Sequence, residues 1–285
     1  MNSRRSFLRD MATAARDAAA TAQPASPPEP PEPPPAAIPD DDLERYSRQL
    51  VLPEWSEGAQ LALHRAAVLV VGAGALGSPV ALYLAGAGAG RLGIVDDDEV
   101  ELSNLHRQHL HFTPDIGTPK AHSAASKLRF LNPGVVVEPF QVRLDAANAA
   151  ALVEGHDLVV DCSDSFETRY AVNAACCAAG VPLVEGGVVG TSGLVMAIRP
   201  GESACYRCAF PEPPPAGAAP SCAEAGVLGP AAGVIGSLQA LEALKLLAGL
   251  DGALLGAFLQ VDLHDHGFLR VAVTRRADCA DCGAL

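Results

Sequence analysis

The stretch that decides the fold is Ala67-Val-Leu-Val-Val-Gly-Ala-Gly-Ala-Leu-Gly77, which leads directly into the helix-like segment Ser78-Pro-Val-Ala-Leu-Tyr-Leu-Ala85. A continuous apolar run is typical of a buried strand, and Gly72, Gly74 and Gly77 permit a tight turn, close approach of a phosphate and close helix packing. The free N–H groups at the start of the next helix favour an anion. A GxGxxG motif alone is a weak indication, but this one has the strand and helix that a nucleotide site requires.

A second apolar strand supports this interpretation. Residues Arg91–Val95 are followed by Asp96, 19 positions after Gly77. A carboxylate at about this distance binds the ribose in nucleotide-binding folds. The glycine loop and Asp96 together predict a nucleotide site.

The remaining chain predicts an α/β fold. Strand-like and helix-like segments alternate up to Glu185, which specifies a mainly parallel, doubly wound, Rossmann-like sheet. After Gly187 the alternation stops, so the last strands should extend the sheet in antiparallel fashion. The predicted strands at this stage are 135–138, 157–161, 181–185, 194–198, 258–261 and 268–273, and the predicted helices include 166–179 and 227–247.

Composition divides the chain into two parts. Residues 1–40 contain nine prolines and should form a disordered extension, whereas residues 41–285 should form one domain, since 49% of the 285 residues are hydrophobic and supply an ample core. The net charge of −13 argues against nucleic acid as a partner, and no apolar run reaches the length of a membrane span. The start Ser3-Arg-Arg-Ser-Phe-Leu-Arg9 resembles a twin-arginine export signal, but no apolar segment follows, so we expect a cytoplasmic protein.

Two cysteine pairs predict a metal site. The pairs are Cys205-Tyr-Arg-Cys208 and Cys279-Ala-Asp-Cys282, with the spacing that places two thiolates on one metal. Four thiolates make a closed, structural, tetrahedral Zn²⁺ site. Two redox centres or disulfides are the alternatives.

A group of polar residues is expected on the same edge of the sheet as the glycine loop. Asn104, Arg107, Lys120 and Asp164 lie at loop or helix starts, with Arg48 as a fifth candidate. They would supply cations for phosphates and a carboxylate for Mg²⁺. No GKS or GKT triplet is present, so the site is not a P-loop.

Cys222 is an isolated thiol at the end of a proline-rich loop, 211–220, which we expect to be mobile. It is either an inert exposed cysteine or a nucleophile that meets a separate macromolecule.

Together these motifs resemble the ThiF/MoeB/HesA group of E1-like adenylyltransferases, from about residue 43 to residue 283. The residues that carry the resemblance are the glycine loop, the two cysteine pairs, Arg45-Tyr-Ser-Arg-Gln49, Leu102-Ser-Asn-Leu-His-Arg-Gln108, Gly117-Thr-Pro-Lys120, Asp161-Cys-Ser-Asp164, Cys222-Ala-Glu-Ala-Gly-Val227 and Gly233-Val-Ile-Gly-Ser-Leu-Gln-Ala-Leu-Glu-Ala-Leu-Lys245. The sequence departs from the family pattern at His106, where glutamine is usual, and at Ser165, where asparagine is usual.

The resemblance implies ATP-dependent adenylylation of the C-terminal glycine of a small ubiquitin-like sulfur carrier protein that ends in Gly-Gly. This is a step toward the carrier's thiocarboxylate in thiamin or molybdenum cofactor biosynthesis. A separate sulfur donor, a cysteine desulfurase or a rhodanese, and a homodimer are also implied.

The resemblance further implies roles for single residues. Asp96 would bind the ATP ribose, and Asp164 would coordinate Mg²⁺. Arg48 would reach the γ-phosphate of ATP in the other subunit, and Cys222 would link to the activated carrier or relay sulfur. The residues that would bind the triphosphate are Asn104, Arg107, Gln108 and Lys120.

Two other functions remain open at this point. An NAD- or FAD-dependent oxidoreductase could use the same glycine loop, although Arg107, Lys120 and Asp164 would have no obvious use there. An E1-like subunit that binds a carrier without catalysis is the other, although the chain retains all the phosphate-handling positions.

Overall fold

The computed structural model describes residues 38–215 and 225–285. The predicted disordered extension 1–40 therefore lies outside the described residues, apart from its last three positions. Cys222 and residues 216–220 of the proline-rich loop also lie outside them.

Eight strands of the described residues form one sheet in the order β3-β2-β1-β4-β5-β6-β7-β8. The first five strands pair in parallel and the last three add to the sheet in antiparallel fashion. The strands are β1 Ala67–Val71, β2 Arg91–Val95, β3 Val136–Phe140, β4 Leu158–Asp161, β5 Leu183–Val189, β6 Ser192–Ile198, β7 Ala257–Asp262 and β8 Gly267–Ala272. This confirms the prediction of an α/β fold with a mainly parallel sheet and antiparallel C-terminal strands.

Helices cover the sheet between the strands. The described helices are α1 Asp40–Arg45, α2 Ser47–Leu50, α3 Glu57–Arg65, α4 Gly77–Ala87, α5 Lys120–Leu131, α6 Ala149–Val153, α7 Phe166–Ala179, α8 Tyr206–Ala209 and α9 Gly229–Ala248. Short 3₁₀ turns lie at Leu102–Asn104 and Thr113–Asp115.

Strand β1 lies between β2 and β4, and all five of its residues are buried. Its side chains alternate between two apolar layers, as the pleat of a strand requires. Val68 and Val70 pack in the layer that contains residues of α4, α5 and α9. Leu69 and Val71 pack in the opposite layer with residues of α6 and α7.

The strand order determines where the predicted nucleotide site lies. Strand β1 lies between β2 and β4, so the loops after these three strands leave the sheet at one edge. In open parallel sheets this reversal of strand order creates a crevice at the carboxyl ends of the strands. The glycine loop, Asp96 and the turn that contains Asp164 therefore border the same crevice.

Helix α5 begins directly after a proline. Pro119 occupies the N-cap and the helix begins at Lys120, while Thr118 lies in the preceding loop, where its carbonyl accepts a hydrogen bond from the N–H of Val100. The N–H of Lys120 donates to the carbonyl of Asp98. The loop after β2 is thus tied directly to the first turn of α5.

Helix α9 is 20 residues long and, by length and composition alone, could cross a membrane. The expectation that no run reaches this length is therefore wrong for this helix. Half of its most apolar window is buried inside the protein, where Ala232 and Ile235 join the core. Gly236 contacts α4 so closely that a Cβ atom there would lie 2.5 Å from Pro79. Packing of this kind explains the apolar composition of the helix.

Candidate active site

A cavity of about 1140 Å³ lies at the carboxyl ends of the parallel strands. Most of the residues expected at the nucleotide site line it, namely Gly72, Gly74, Asp96, Arg107, Gln108, Lys120 and Asp164. Gly77, Asn104 and Arg48 are outside the lining.

The three glycines of the loop have different roles. Gly72 has a φ of +93°, which side chains disfavour, and its N–H donates to the carbonyl of Val95. A Cβ at Gly77 would collide with the carbonyl of Gly72, so this residue allows α4 to begin against the turn. A Cβ at Gly74 would meet only the side-chain amide of Gln108, at 3.6 Å. Gly74 therefore leaves room in the cavity for a ligand.

The side chain of Asp96 is hydrogen-bonded to the glycine loop. Its Oδ2 accepts a 2.7 Å hydrogen bond from the N–H of Ala73, and its Oδ1 accepts a 2.9 Å bond from the N–H of Asp98. Burial raises the pKa of Asp96, although Lys120 and both N–H donors act in the other direction. The residue borders the cavity at the position expected for a group that contacts a ribose.

Two cations line the cavity near this point. Lys120 is buried in the first turn of α5, and its Nζ lies 2.7 Å from Oδ2 of Asp98. Arg107 is half-buried, and its Nη1 donates a 2.9 Å hydrogen bond to the carbonyl of Ser103. His106 occupies the position where the family pattern usually has glutamine. Its Nε2 lies 2.8 Å from Nη1 of Arg107. The two cations are positioned to attract an anionic ligand.

Asn104 and Gln108, from the same motif, are placed differently. Asn104 is buried and caps its 3₁₀ turn, where its Oδ1 accepts from the N–H of Glu101. Gln108 lines the cavity, and its Oε1 is buried without a hydrogen-bond partner in the described part of the chain. A buried polar atom of this kind normally has a partner. Gln108 is thus a lining residue of this motif whose Nε2 lies on the side of Gly74.

Asp164 is an exposed residue at the edge of the cavity. It lies in the turn between β4 and α7. The next residue, Ser165, caps α7, because its Oγ accepts a 3.4 Å hydrogen bond from the N–H of Thr168. Serine and asparagine are both good N-caps, so the departure from the family pattern preserves this function.

The role of His111 was not predicted from the sequence. This histidine is buried, and its Nε2 lies 2.8 Å from the carbonyl of Ala73, while its Nδ1 lies 2.9 Å from Oγ of Ser123. A carbonyl only accepts hydrogen bonds, so Nε2 carries the proton. Burial lowers the pKa of His111, and Lys120 and Lys127 add to this effect. A neutral histidine therefore joins the glycine loop to α5.

A buried ionic group beneath the Asp164 turn was also missed. It consists of Asp161, Arg169 and Glu185, and Nη1 of Arg169 donates a 2.9 Å hydrogen bond to Oε1 of Glu185. The only sequence signal was the presence of an acid in each of two apolar strands.

The four paired cysteines form a single cluster. The Sγ of Cys205 lies 3.9 Å from that of Cys208 and 3.6 Å from that of Cys279, and the Sγ atoms of Cys208 and Cys282 are 3.4 Å apart. All four are buried and free. The crossover after β6 and the chain end thus meet at one potential metal site.

Part of the cavity lining is aromatic. Tyr206 and Phe210 belong to or adjoin α8, the helix that begins at the cysteine cluster, and their ring centroids are 5.0 Å apart. Tyr170 packs against Tyr206 at 5.2 Å. The cavity lining therefore contains an aromatic part as well as the two cations.

Arg48 is exposed on α2, and Cys222 lies outside the described residues. A single chain does not test the prediction that Arg48 reaches a partner's nucleotide.

The sequence matches the ThiF family over residues 46–282. It is 49% identical over 248 residues to a sulfur carrier protein adenylyltransferase of Thermus thermophilus, a match that covers 85% of this chain and 92% of the relative. It is 47% identical over 241 residues to the SAMP-activating enzyme E1 of Haloferax volcanii, with 85% and 89% of the two chains covered.

A longer relative matches over part of its length. The adenylyltransferase and sulfurtransferase MOCS3 of Sus scrofa is 50% identical over 249 residues, which are 87% of this chain and 55% of MOCS3. The chain thus spans about half the length of this relative.

The fold also matches solved structures. Escherichia coli MccB with ATP has a TM-score of 0.76 and 23% sequence identity, with 84% of this chain and 74% of MccB covered. At this identity the similarity shows a shared fold.

Proposed function

The chain belongs to the ThiF family, and we propose that it uses ATP to adenylylate the C-terminal glycine of a small ubiquitin-like sulfur carrier protein. The observation that carries this proposal is the meeting of Arg107, Lys120 and Asp164 around the glycine loop in one cavity. They come from three separate segments of the chain. Hydride transfer would have no use for this set, whereas cleavage of a nucleoside triphosphate needs both the cations and the carboxylate.

The proposed reaction joins two anions. A carboxylate oxygen of the carrier attacks the α-phosphorus of ATP, the bond from that phosphorus to the bridging oxygen breaks, and pyrophosphate leaves with the electron pair. No general base is needed because the nucleophile is already ionised. The main barrier is repulsion between negative charges, which Arg107 and Lys120 reduce.

The other lining residues would bind the nucleotide. Asp96 would hold the ribose, Gly74 would allow the phosphates to approach the backbone, and Gln108 would donate from its amide N–H groups. Asn104 would contribute by fixing the turn that carries Arg107. Asp164 would be the protein ligand of Mg²⁺, which neutralises phosphate charge when bound.

We assign the cysteine cluster to a structural Zn²⁺. Tetrahedral Zn–S bonds of about 2.3 Å place neighbouring sulfurs about 3.8 Å apart. The three separations of 3.4, 3.6 and 3.9 Å are close to this value. Four buried thiols without a metal would have no comparable reason to cluster.

The family resemblance is the basis for proposing the oligomeric state, the roles of Arg48 and Cys222, the sulfur donor and the pathway. We propose a cytoplasmic homodimer in which Arg48 contributes to the partner's nucleotide site, and a role for Cys222 in linking to the carrier or relaying sulfur. The sulfur would come from a separate protein, a cysteine desulfurase or a rhodanese. The carrier would serve thiamin or molybdenum cofactor biosynthesis.

The test is exchange of labelled pyrophosphate into ATP in the presence of a ubiquitin-like carrier that ends in Gly-Gly. We expect exchange with the intact carrier and none with the same carrier lacking its last glycine. Carrier binding without exchange would support the non-catalytic alternative, and copurified nicotinamide or flavin would support the oxidoreductase. Either result would overturn the proposal.

A further inference from the structure

We propose that Glu185 and Asp161 share one proton and, together with Arg169, hold the main-chain turn that aims Asp164 into the cavity. This inference rests on the proposed function of Asp164 as the Mg²⁺ ligand. Glu185 does not line the cavity, so its role is one of positioning.

The two acids lie side by side. Asp161 is the last residue of β4, Glu185 lies on β5, and the two are register partners in parallel strands. Register partners project from the same face of a sheet. Both residues are 0% exposed, so neither carboxyl group is solvated by water.

One cation faces these two acids. Nη1 of Arg169 donates to Oε1 of Glu185. The second oxygens, Oδ2 of Asp161 and Oε2 of Glu185, have no N–H or O–H partner in the parts of the chain that the structure describes. Two ionised carboxylates would leave one negative charge buried and uncompensated, which is unfavourable.

Neighbouring strands lie about 4.8 Å apart, so the carboxyl groups of these two register partners can reach each other. Two carboxylates cannot form a hydrogen bond unless one of them carries a proton. Burial raises the pKa of Glu185 well above its usual value, and the neighbouring Asp161 raises it further. One proton between the two groups satisfies both orphan oxygens and leaves a single negative charge opposite Arg169.

Asp161 and Arg169 both hydrogen-bond to the main chain of Ser163 in the turn that follows β4. The N–H of Ser163 donates a 2.9 Å hydrogen bond to Oδ1 of Asp161, and the carbonyl of Ser163 accepts a 2.8 Å bond from Nη2 of Arg169. The following residue is Asp164. The position of Asp164 therefore depends on Asp161 and Glu185, which lie outside the cavity lining, and on Arg169, which is part of it.

Two neighbouring residues, Gly187 and Gln239, accommodate Arg169 and Asp161. A Cβ at Gly187 would lie 2.7 Å from Nη1 of Arg169, so glycine leaves the space that the guanidinium occupies. Nε2 of Gln239 donates a 2.6 Å hydrogen bond to the carbonyl of Asp161 and secures the end of β4.

Two variants of Glu185 test the inference. Glu185→Gln retains an oxygen for Arg169 and supplies an N–H in place of the shared proton, so the Mg²⁺ concentration for half-maximal pyrophosphate exchange should stay close to that of the unmodified protein. Glu185→Ala should raise this concentration by about 10–100-fold, as loss of a residue that orients a metal ligand does. Glu138→Gln, which changes a half-buried acid on β3 outside the cavity lining, is the matched control.

Infrared spectroscopy provides a measurement that does not depend on activity. The unmodified protein should show the C=O band of a protonated carboxyl group at neutral pH, and Glu185→Gln should lack it. Absence of the band in the unmodified protein, or an Mg²⁺ requirement in Glu185→Gln as high as in Glu185→Ala, would overturn the inference. If the unmodified protein catalyses no exchange, the proposed function fails, while the infrared band still decides whether the proton is shared.

Discussion

The N–H of Ala73 donates a 2.7 Å hydrogen bond to Oδ2 of Asp96. The residue proposed to bind the ribose therefore also fixes the glycine loop. A substitution of Asp96 would disturb the loop and the ribose contact together. Substitutions of Lys120 and His111 are easier to interpret, because Lys120 is proposed to bind phosphate and His111 supports the glycine loop.

Replacement of Lys120 by alanine should lower the rate of pyrophosphate exchange by about 100- to 1000-fold, the usual effect of removing one group that stabilises transition-state charge. Its partner Asp98 is 67% exposed, so loss of their ion pair should change the free energy of unfolding by only about 0–1 kcal/mol. Exchange assays and thermal denaturation measure the two effects. Arg199→Ala, which removes an exposed cation outside the cavity lining, is the control, and unchanged exchange in Lys120→Ala would reject the assigned role.

His111→Ala should weaken both ATP binding and the fold. It leaves the carbonyl of Ala73 without its donor, which costs about 1–3 kcal/mol for a buried group. His111→Gln can still donate from its amide and should recover part of the loss. Calorimetric ATP titration and denaturant unfolding check this, with the exposed His109→Ala as control. Equal ATP affinity in His111→Ala and the unmodified protein would show that the loop does not need this support.

Metal analysis should find one Zn²⁺ per chain, and its removal by a chelator should lower the melting temperature. The N–H of Tyr206 donates to Oδ1 of Asn173, and Nδ2 of Asn173 donates to Asp281, so the metal knuckles are tied to α7 and to the aromatic end of the cavity. Cys282→Ser should lose the metal, while Cys176→Ala, a buried thiol outside the cluster, should keep it. A metal content far below one per chain in fully stable protein would contradict the assignment.

Stability should depend on pH through Glu185. Because the folded-state pKa of Glu185 is raised above its usual value of 4.5, its contribution to stability is complete below that pH and is lost as pH rises through the folded-state pKa. The free energy of unfolding of the unmodified protein should therefore fall relative to Glu185→Gln as pH rises above 4.5. The titratable and charged groups that face Glu185 are Asp161, Arg169, Tyr206, Cys162 and Cys176.

Unfolding curves at several pH values measure this difference. Glu202→Gln, an exposed acid in the turn after β6, serves as control. A gap between Glu185→Gln and the unmodified protein that stays constant from acid to neutral pH would show that folding does not raise the pKa of Glu185.

Local patterns in the sequence were sufficient to predict the central sheet. The apolar run of β1 and the glycines after it have only one common structural use, and the position of Asp96 follows from the length of the intervening helix and strand. The antiparallel extension was predictable because the alternation of strands and helices stops after Gly187.

Long-range packing could not be predicted from these patterns. The contact of His111 with Ala73 joins positions 38 residues apart, and the pairing of Asp161 with Glu185 depends on the register of two strands. Asn104 was predicted to bind the triphosphate like Arg107 from the same motif, but its side chain caps a turn. The position of Arg48 relative to a nucleotide depends on a second subunit.

In the proposed reaction a carrier carboxylate cleaves ATP between its α- and β-phosphates. The most direct measurement uses ATP labelled at the α- or the γ-phosphate, together with a carrier that ends in Gly-Gly. We expect the α label on the carrier as an acyl-adenylate and the γ label in pyrophosphate. Release of the γ label as inorganic phosphate, or its transfer to protein, would contradict the account.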